Sequence, residues 1–253
     1  MTENRWVQDL STLGGGGGFH PVLPSLEVVY RTDPDALAGV LPPPLGAPPE
    51  PRVHARVTDI HLELPGGRVH DEKVGFFAVD AQLDGLLGEY PLLIPIDLEP
   101  AIAISRERFG EPKKLADIDI SREGAHVHAG ITRSGVTFIE IEGDVVEELP
   151  VPEPYPAVQW WFKFMPSVTG RGFDGDPLLV QVDHVRTHTS VERVDGKIEL
   201  RDLPTAPVVD LPVLEIESIQ WTVRTSTHTP RIVGPVDPVA FEPYAYSRYD
   251  MGR

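Results

Sequence analysis

Two lysines, Lys113 and Lys114, stand side by side directly after Gly110-Glu111-Pro112. A neutral lysine amine attacks a ketone, loses water and becomes an iminium, an electron sink beside which a bond can break heterolytically. An unperturbed lysine, with a pKa of about 10.4, is almost all ammonium at neutral pH. Desolvation lowers that value, and so does a nearby cation. Two charges about 4 Å apart at an effective dielectric near 20 repel by roughly 4 kcal/mol, or about three pKa units. Neighbours in an extended segment, however, point to opposite faces. Desolvation by an apolar pocket therefore carries at least as much weight as the second lysine. For a bare Lys-Lys pair the competing reading is two surface lysines beside a turn.

The residues before the pair determine where it is placed. Residues 101–109 suit a short helix with Pro100 in its first turn, and Gly110 suits the left-handed position that ends it. Pro112 forbids continuation and biases Glu111 towards extended geometry. A strand is expected over residues 116–121, so the lysines sit where a helix stops and a strand begins.

The wording around the pair resembles the acetoacetate decarboxylase family, whose members carry Glu-Pro-Ala-Ile-Ala, then Gly-Arg-Glu, then Pro-Lys-Lys-Leu. Here Glu99-Pro100-Ala101-Ile102-Ala103 leads to Arg106-Glu107 and to Pro112-Lys113-Lys114-Leu115. Tyr30-Arg31-Thr32-Asp33, Gly88-Glu89-Tyr90, Lys163, Met165-Pro166 and Asp210-Leu211-Pro212-Val213 fall in the family's order, so the resemblance spans about residues 26–225. It implies that Lys113 forms a Schiff base and that Lys114 is its charged neighbour, with Arg106 and Glu107 holding the lysine segment. It also implies a homo-oligomer. Three positions depart from the family pattern. A family glutamate upstream of the lysines falls on Val74, with Glu72 two residues earlier on the same strand face. A second glutamate falls near Arg56, and an early arginine near Leu23. The lysine is kept while the acids and the cation around it have changed.

Composition limits the alternatives. The chain has 253 residues and a formal charge of 22 − 39 = −17, which argues against nucleic acid and anionic membranes. There are no cysteines, hence no disulfides or thiolate metal sites. No apolar run approaches a membrane span, and residues 1–13 lack a signal-peptide core. A cytoplasmic location is the expectation.

Residues 1–25 read as a flexible arm around the glycine run 14–18, which lacks the following Gly-Lys-Ser/Thr of a phosphate loop. The remainder, 26–253, reads as one domain. Strands are expected over 26–31, 53–64, 69–81, 125–132, 136–142, 178–191, 197–201 and 214–225, with turns at Pro65-Gly66-Gly67, Asp84-Gly85, Arg133-Ser134-Gly135 and Asp195-Gly196. Asp33 is a plausible N-cap for a helix starting at Pro34. Residues 90–96 carry Pro91 and Pro95 and so predict an edge or irregular strand. Residues 147–156 suit a surface crossing, and Trp160, Trp161, Phe162 and Phe164 suit core or pocket wall. The predicted fold is mainly antiparallel β, barrel-like or cone-like, with a few short helices.

Other groups could carry chemistry. His126 and His128 share a strand face opposite Val127, Ala129 and Ile131, which points to solvent rather than metal. His184, Arg186 and His188 share a face with Val180 and Val182. The expected reading is a strand emerging into solvent, and the alternative is polar groups inside an apolar pocket. Glu242, Tyr244, Tyr246 and Tyr249 in the tail suit packing, or a segment that supplies an acid or base. The leading expectation is a cofactor-free lyase in which Lys113 forms an iminium with a small keto acid. Lys114 tunes the field, Arg56 receives the substrate carboxylate and Glu72 handles protons. An aldolase-dehydratase on the same lysine and a small-ligand binding protein are the rivals.

Overall fold

The structure, a computed structural model, describes residues 22–64, 68–245 and 248–250. The glycine run, most of the expected arm, the turn at 65–67 and Tyr246 lie outside the described residues. Strand β1 (Leu23–Arg31) takes in the last residues of the expected arm. Helix α1 (Pro34–Gly39) is capped by Asp33, whose carboxylate accepts from the Asp35 and Ala36 N–H groups at 2.9 Å. The strands β2 (Arg52–Leu64), β3 (Arg68–Leu83) and β4 (Leu86–Ile96) follow. Asp84 and Gly85 join β3 to β4 with φ of 51° and 81°, the doubly left-handed turn whose twist matches a hairpin.

Helix α2 (Glu99–Phe109) ends on Gly110 at φ 85°. A side chain there would meet the Phe162 carbonyl oxygen at 2.3 Å, so the position needs glycine for space as well as for its angle. The short β5 (Lys113–Leu115) leads into the meander β6 (Asp117–Glu123), β7 (His126–Arg133) and β8 (Val136–Glu148). Then come β9 (Tyr155–Lys163), β10 (Leu178–Leu200), β11 (Glu215–Ser226), β12 (Thr229–Pro235) and α3 (Pro238–Ala245).

The pairings β11–β1–β2–β3–β4–β9–β10 continue back to β11, so seven strands close into a ring. All pairings in the ring are antiparallel except β4–β9, a single parallel contact at Glu89 and Gln159. Strand β10 runs past the ring to carry β8, β7 and β6 as a second sheet. Alternation then separates two environments. Leu26, Val28 and Tyr30 of β1, Val53, Ala55 and Val57 of β2, and Ile219 and Trp221 of β11 share one buried cluster with Val127, Ala129 and Ile131 of β7. That is the outer face of the ring, packed under the second sheet. The intervening residues, Glu27, Arg56, Thr222 and Arg224 among them, face inward. The molecule is thus mainly β and barrel-like, as its alternating strands predict.

One local expectation is narrowed and one is corrected. Of the two readings of β4, edge or irregular, the second holds: it pairs with β3, β5 and β9 and is irregular at its prolines. Its bonds to the β5 side come from the Ile94 N–H and the Ile96 carbonyl, either side of Pro95, and the β3 ladder shifts register opposite Pro91. Asp195-Gly196 is not a turn, because β10 runs through it as one strand of 23 residues. Gly196 and Gly143 instead let two backbones touch: a Cβ on Gly196 would lie 2.3 Å from the Glu142 carbonyl oxygen. In the tail, β12 pairs with β10 and Phe241 of α3 is buried against Phe162.

Candidate active site

Register determines where the lysines point. Lys113 pairs with Ile94, which packs with Phe76 and Ala78 on the inner face, whereas Lys114 pairs with Pro95 and faces outward. The end of α2 brings two groups to the inner amine. Lys113 Nζ donates to Ser105 Oγ at 3.0 Å and lies 3.0 Å from Glu111 Oε2. Ser105 is in the last turns of α2, and Glu111 follows its glycine stop. Both are buried. A carboxylate so placed can take the ammonium proton while the hydroxyl holds the nitrogen, which is what an attacking amine requires. His228 stands beside the pair. Burial holds its imidazole below the ordinary range, with Glu111 opposing and Lys113 assisting.

Lys114 lies in other surroundings. Its Nζ donates to the Thr205 carbonyl at 2.7 Å and meets Asp250 Oδ1 at 3.2 Å, and Arg133 grips the same carboxylate. Burial pulls its ammonium pKa down while Asp250 opposes this. It lines a cavity of about 410 Å³ on the outer side of β3 and β4, with Phe77, Leu93, Val208 and Leu211. Lys114 thus points to the far side of the strand from Lys113, where its charge is matched by Asp250.

Deeper inside, charged side chains from five strands converge. Arg186 binds Glu89 with both arms, at 2.8 and 2.9 Å, and Gln159 donates to Glu89 at 3.1 Å. Burial opposes the Glu89 charge, but Arg186 and Arg56 hold its carboxyl well below the usual range. Arg224 hydrogen-bonds Glu27, which Thr222 also reaches at 3.3 Å. Burial again opposes the charge, but Arg224 and Arg56 hold Glu27 at about 2. Each acid therefore has its own arginine. Arg56 is the surplus cation: 4.0 Å from Glu89, stacked 4.3 Å over Phe76, and donating no hydrogen bond among the described residues. Burial and the Arg224 charge pull it down to about 10, so it stays protonated at neutral pH.

The histidines of β10 do not emerge into solvent. His184 and Arg186 lie on the inner face with Val180 and Val182, because the ring closes over this part of β10. Phe109, Trp161, His228 and His184 make a continuous ring cluster, with His228 centred 5.3 Å from Trp161 and 5.0 Å from His184.

Other expected residues lie elsewhere. Glu72 is half-buried and four residues along β3 from Phe76, roughly 13 Å away, so it does not join Arg56. Arg106 stacks 5.0 Å over Tyr249 and so ties α2 to the tail, whereas Glu107 is exposed. Leu23 pairs across from Arg224, so a cation reaches this region from the neighbouring strand. Val74 is half-buried against Phe76 and Ile94. His126 pairs with Asp144, and His128 with Asp119 and Glu140, on the second sheet. Glu242 accepts from the Gly172 N–H, and Tyr244 lines the outer cavity.

Sequence reasoning missed Glu27, Glu111 and His228. Glu27 had a visible signal, a charge between Leu26 and Val28 in an apolar strand. Glu111 was read only for its backbone. His228 lies in the connection from β11 to β12 and carries no periodic signal.

A ring of strands whose inner wall carries a lysine, paired acids and a surplus arginine is the plan of a small-molecule enzyme. The family model for acetoacetate decarboxylase (ADC) matches residues 20–234, and the chain belongs to that family. The acetoacetate decarboxylase of Clostridium acetobutylicum is 28% identical over 199 residues, covering 76% of this chain and 78% of that one. The enzyme of Burkholderia cenocepacia is 29% identical over 212 residues, covering 80% and 82%. A solved acetoacetate decarboxylase superposes with a TM-score of 0.75 at 23% identity, over 87% of this chain and 91% of that one. The enduracididine biosynthesis enzyme MppR, complexed with pyruvate, shares the fold with a TM-score of 0.72 at 16% identity, over 89% and 93%. No helix among the described residues is long and apolar enough to cross a membrane.

Proposed function

We propose that the chain is a Schiff-base lyase acting on a small keto acid, with Lys113 as nucleophile. The observation that carries this reading is the pairing of Lys113, held by Ser105 and Glu111, with Arg56, a buried guanidinium that makes no hydrogen bond among the described residues and only a 4.0 Å ion pair with Glu89. Arg56 pairs with Phe76, Phe76 packs on Ile94, and Ile94 pairs with Lys113. The two Cα positions are three strand spacings apart, roughly 14 Å along the sheet. Both side chains reach inward, and in this reading a keto acid of a few carbons bridges them. Arg56 takes the carboxylate as a charge-assisted pair, Lys113 attacks the ketone, and Glu111 takes the proton that frees the amine.

The surplus cation also bears on which bond breaks. Decarboxylation converts the carboxylate into uncharged carbon dioxide. An arginine on that carboxylate therefore stabilises the ground state more than the transition state and slows the step. In aldol or dehydration chemistry on a 2-keto acid the carboxylate persists, and the same arginine is a neutral anchor. MppR, which shares the fold, has been solved with pyruvate and with the condensation product of pyruvate and imidazole 4-carboxaldehyde, ligands of the kind this reading calls for. The curated relatives are named for acetoacetate decarboxylation.

The test is to incubate the protein with pyruvate or acetoacetate, reduce with borohydride, and map the adduct by peptide mass. A pyruvate adduct on Lys113 is expected, with slow carbon dioxide release from acetoacetate compared with condensation of pyruvate and an aldehyde. An adduct on Lys114, or none, overturns the reading. Fast carbon dioxide release without condensation restores plain decarboxylation.

A further inference from the structure

Three consecutive residues of the tail hold the lysine segment from both sides. Arg248 Nη2 donates to the Gly110 carbonyl at 2.6 Å and to the Phe162 carbonyl at 2.9 Å. The residue is buried, and its guanidinium lies 4.3 Å over the Phe164 ring. Tyr249 lies under Arg106 in the last turn of α2. Asp250 meets Lys114, and Arg133 of β7 binds the same carboxylate. These contacts fall on residues 106, 110 and 114, so they bracket Lys113, whose own side chain faces the ring interior.

Gly110 is the contact that bears on the amine. Ser105 lies before this helix stop and Glu111 follows it, so the turn at Gly110 sets how the two groups meet Lys113 Nζ, each at 3.0 Å. The Gly110 backbone packs on that of Phe162, and both carbonyl oxygens lie on one nitrogen of Arg248. That nitrogen has two N–H groups, one for each oxygen. Burial pulls the guanidinium down to about 10, with Tyr90, Tyr249 and Glu111 opposing. It is therefore protonated at neutral pH, and both bonds are charge-assisted. Without it two buried carbonyls lose the donor they share, and the turn between Ser105 and Glu111 loses its fixed point. We propose that Arg248 is a positioning residue for the Schiff-base step. By fixing Gly110 against Phe162 it holds Ser105 and Glu111 at the Lys113 amine, and it acts through the backbone rather than on the substrate. This rests on the Lys113 reading above.

The experiment follows borohydride trapping of pyruvate over a range of pyruvate concentrations, with rates taken per folded molecule from a melting curve measured alongside. Arg248→Met is expected to lower the limiting rate by about 10²-fold, the scale of a small misplacement of the reacting groups. Half-saturating pyruvate should stay within about twofold, because Arg56 is untouched. Arg248→Lys keeps the charge but ends one bond short and has no flat group to lie on Phe164, so it should recover about tenfold of the loss. Millimolar ethylguanidinium should restore part of the rate of Arg248→Ala, and ethylammonium should not. Asp250→Asn loosens the tail without touching Gly110 and should trap within about threefold of wild type. A methionine variant that traps at the wild-type limiting rate overturns the proposal and leaves the Lys113 reading standing. So does a loss seen only in half-saturating pyruvate. So does an equal loss in Asp250→Asn, which would make docking of the tail, not the guanidinium, the cause. An alanine variant that ethylguanidinium fails to restore counts the same way. No trapping by the wild type overturns both.

Discussion

Lys113 and Lys114 differ by one residue in the chain and by the thickness of a strand in space. The first faces a ring interior where Ser105 and Glu111 hold its amine. The second is fixed on the outside by the Thr205 carbonyl and by Asp250, itself gripped by Arg133. One amine has a hydroxyl and a carboxylate at hand, and the other, at the edge of the outer cavity, has its charge matched by Asp250. The lesson is that adjacency in a strand is not electrostatic adjacency. The surroundings of Lys113 are built by β2, β9, β10 and the end of α2, not by its neighbour in sequence.

The sharpest way to break that contrast is to exchange the two roles. Lys113→Arg keeps the charge and removes the nucleophile, so adduct formation should fall by ~10³-fold or more with little change in melting temperature. An adduct at full yield would move the chemistry to another residue. Next in size is the acid limb of stability. The folded pKa of Glu27 is depressed from 4.5 to about 2. Its contribution is therefore fully present above pH 4.5 and lost as pH falls towards 2. The shift corresponds to on the order of 3 kcal/mol. Glu27→Gln should lower stability at neutral pH and flatten the pH dependence of the melting temperature over that window. An unchanged acid limb would mean that the inner charges are not coupled.

Arg56→Leu should raise the KM for pyruvate by ~10²-fold, the loss of a charged hydrogen-bonded pair. It should leave trapping of acetone, which has no carboxylate, nearly unchanged. Equal losses for both ketones would make Arg56 structural. The smallest effect is expected outside. Lys114→Gln should change the rate of adduct formation by less than about threefold at any pH, because its charge is already matched and its partner is partly exposed. A larger change would bring back the idea of a charged neighbour. Stability should fall by about 1 kcal/mol as Asp250 loses one of its two cations.

Much of this plan was legible in the chain. The helix stop at Gly110, the Asp33 cap and the hairpins at Asp84-Gly85 and Ser134-Gly135 are local chemistry, and local chemistry can be read directly. Alternation assigned faces wherever one side was apolar. It misled at His184 and Arg186, because ring closure makes the polar face of β10 a second interior, and closure is not a property of any single strand. It also failed at Asp195-Gly196, where glycine serves a contact between β8 and β10 rather than a turn. Glu27, Glu89 and their arginines come from segments far apart in sequence. Their pairing is visible only after the strands are ordered around the ring.

That ordering also affects how the chain folds. Thr222 and Glu27, which meet where β11 closes on β1, are 195 residues apart. Closure therefore waits for nearly the whole chain, and contacts of such separation form slowly. Until β11 arrives, β1 is a finished but unpaired margin of the first four-stranded meander, able to template pairing with another copy. Glu27 then lies in the middle of that margin, on the side that later becomes interior, across from Arg56 of β2 but without Arg224. A second chain pairing there would bury its charge without the hydrogen-bonded arginine that holds it in the finished ring. The residue that binds Arg224 in the finished ring thus also disfavours joining the wrong partner in the nascent chain.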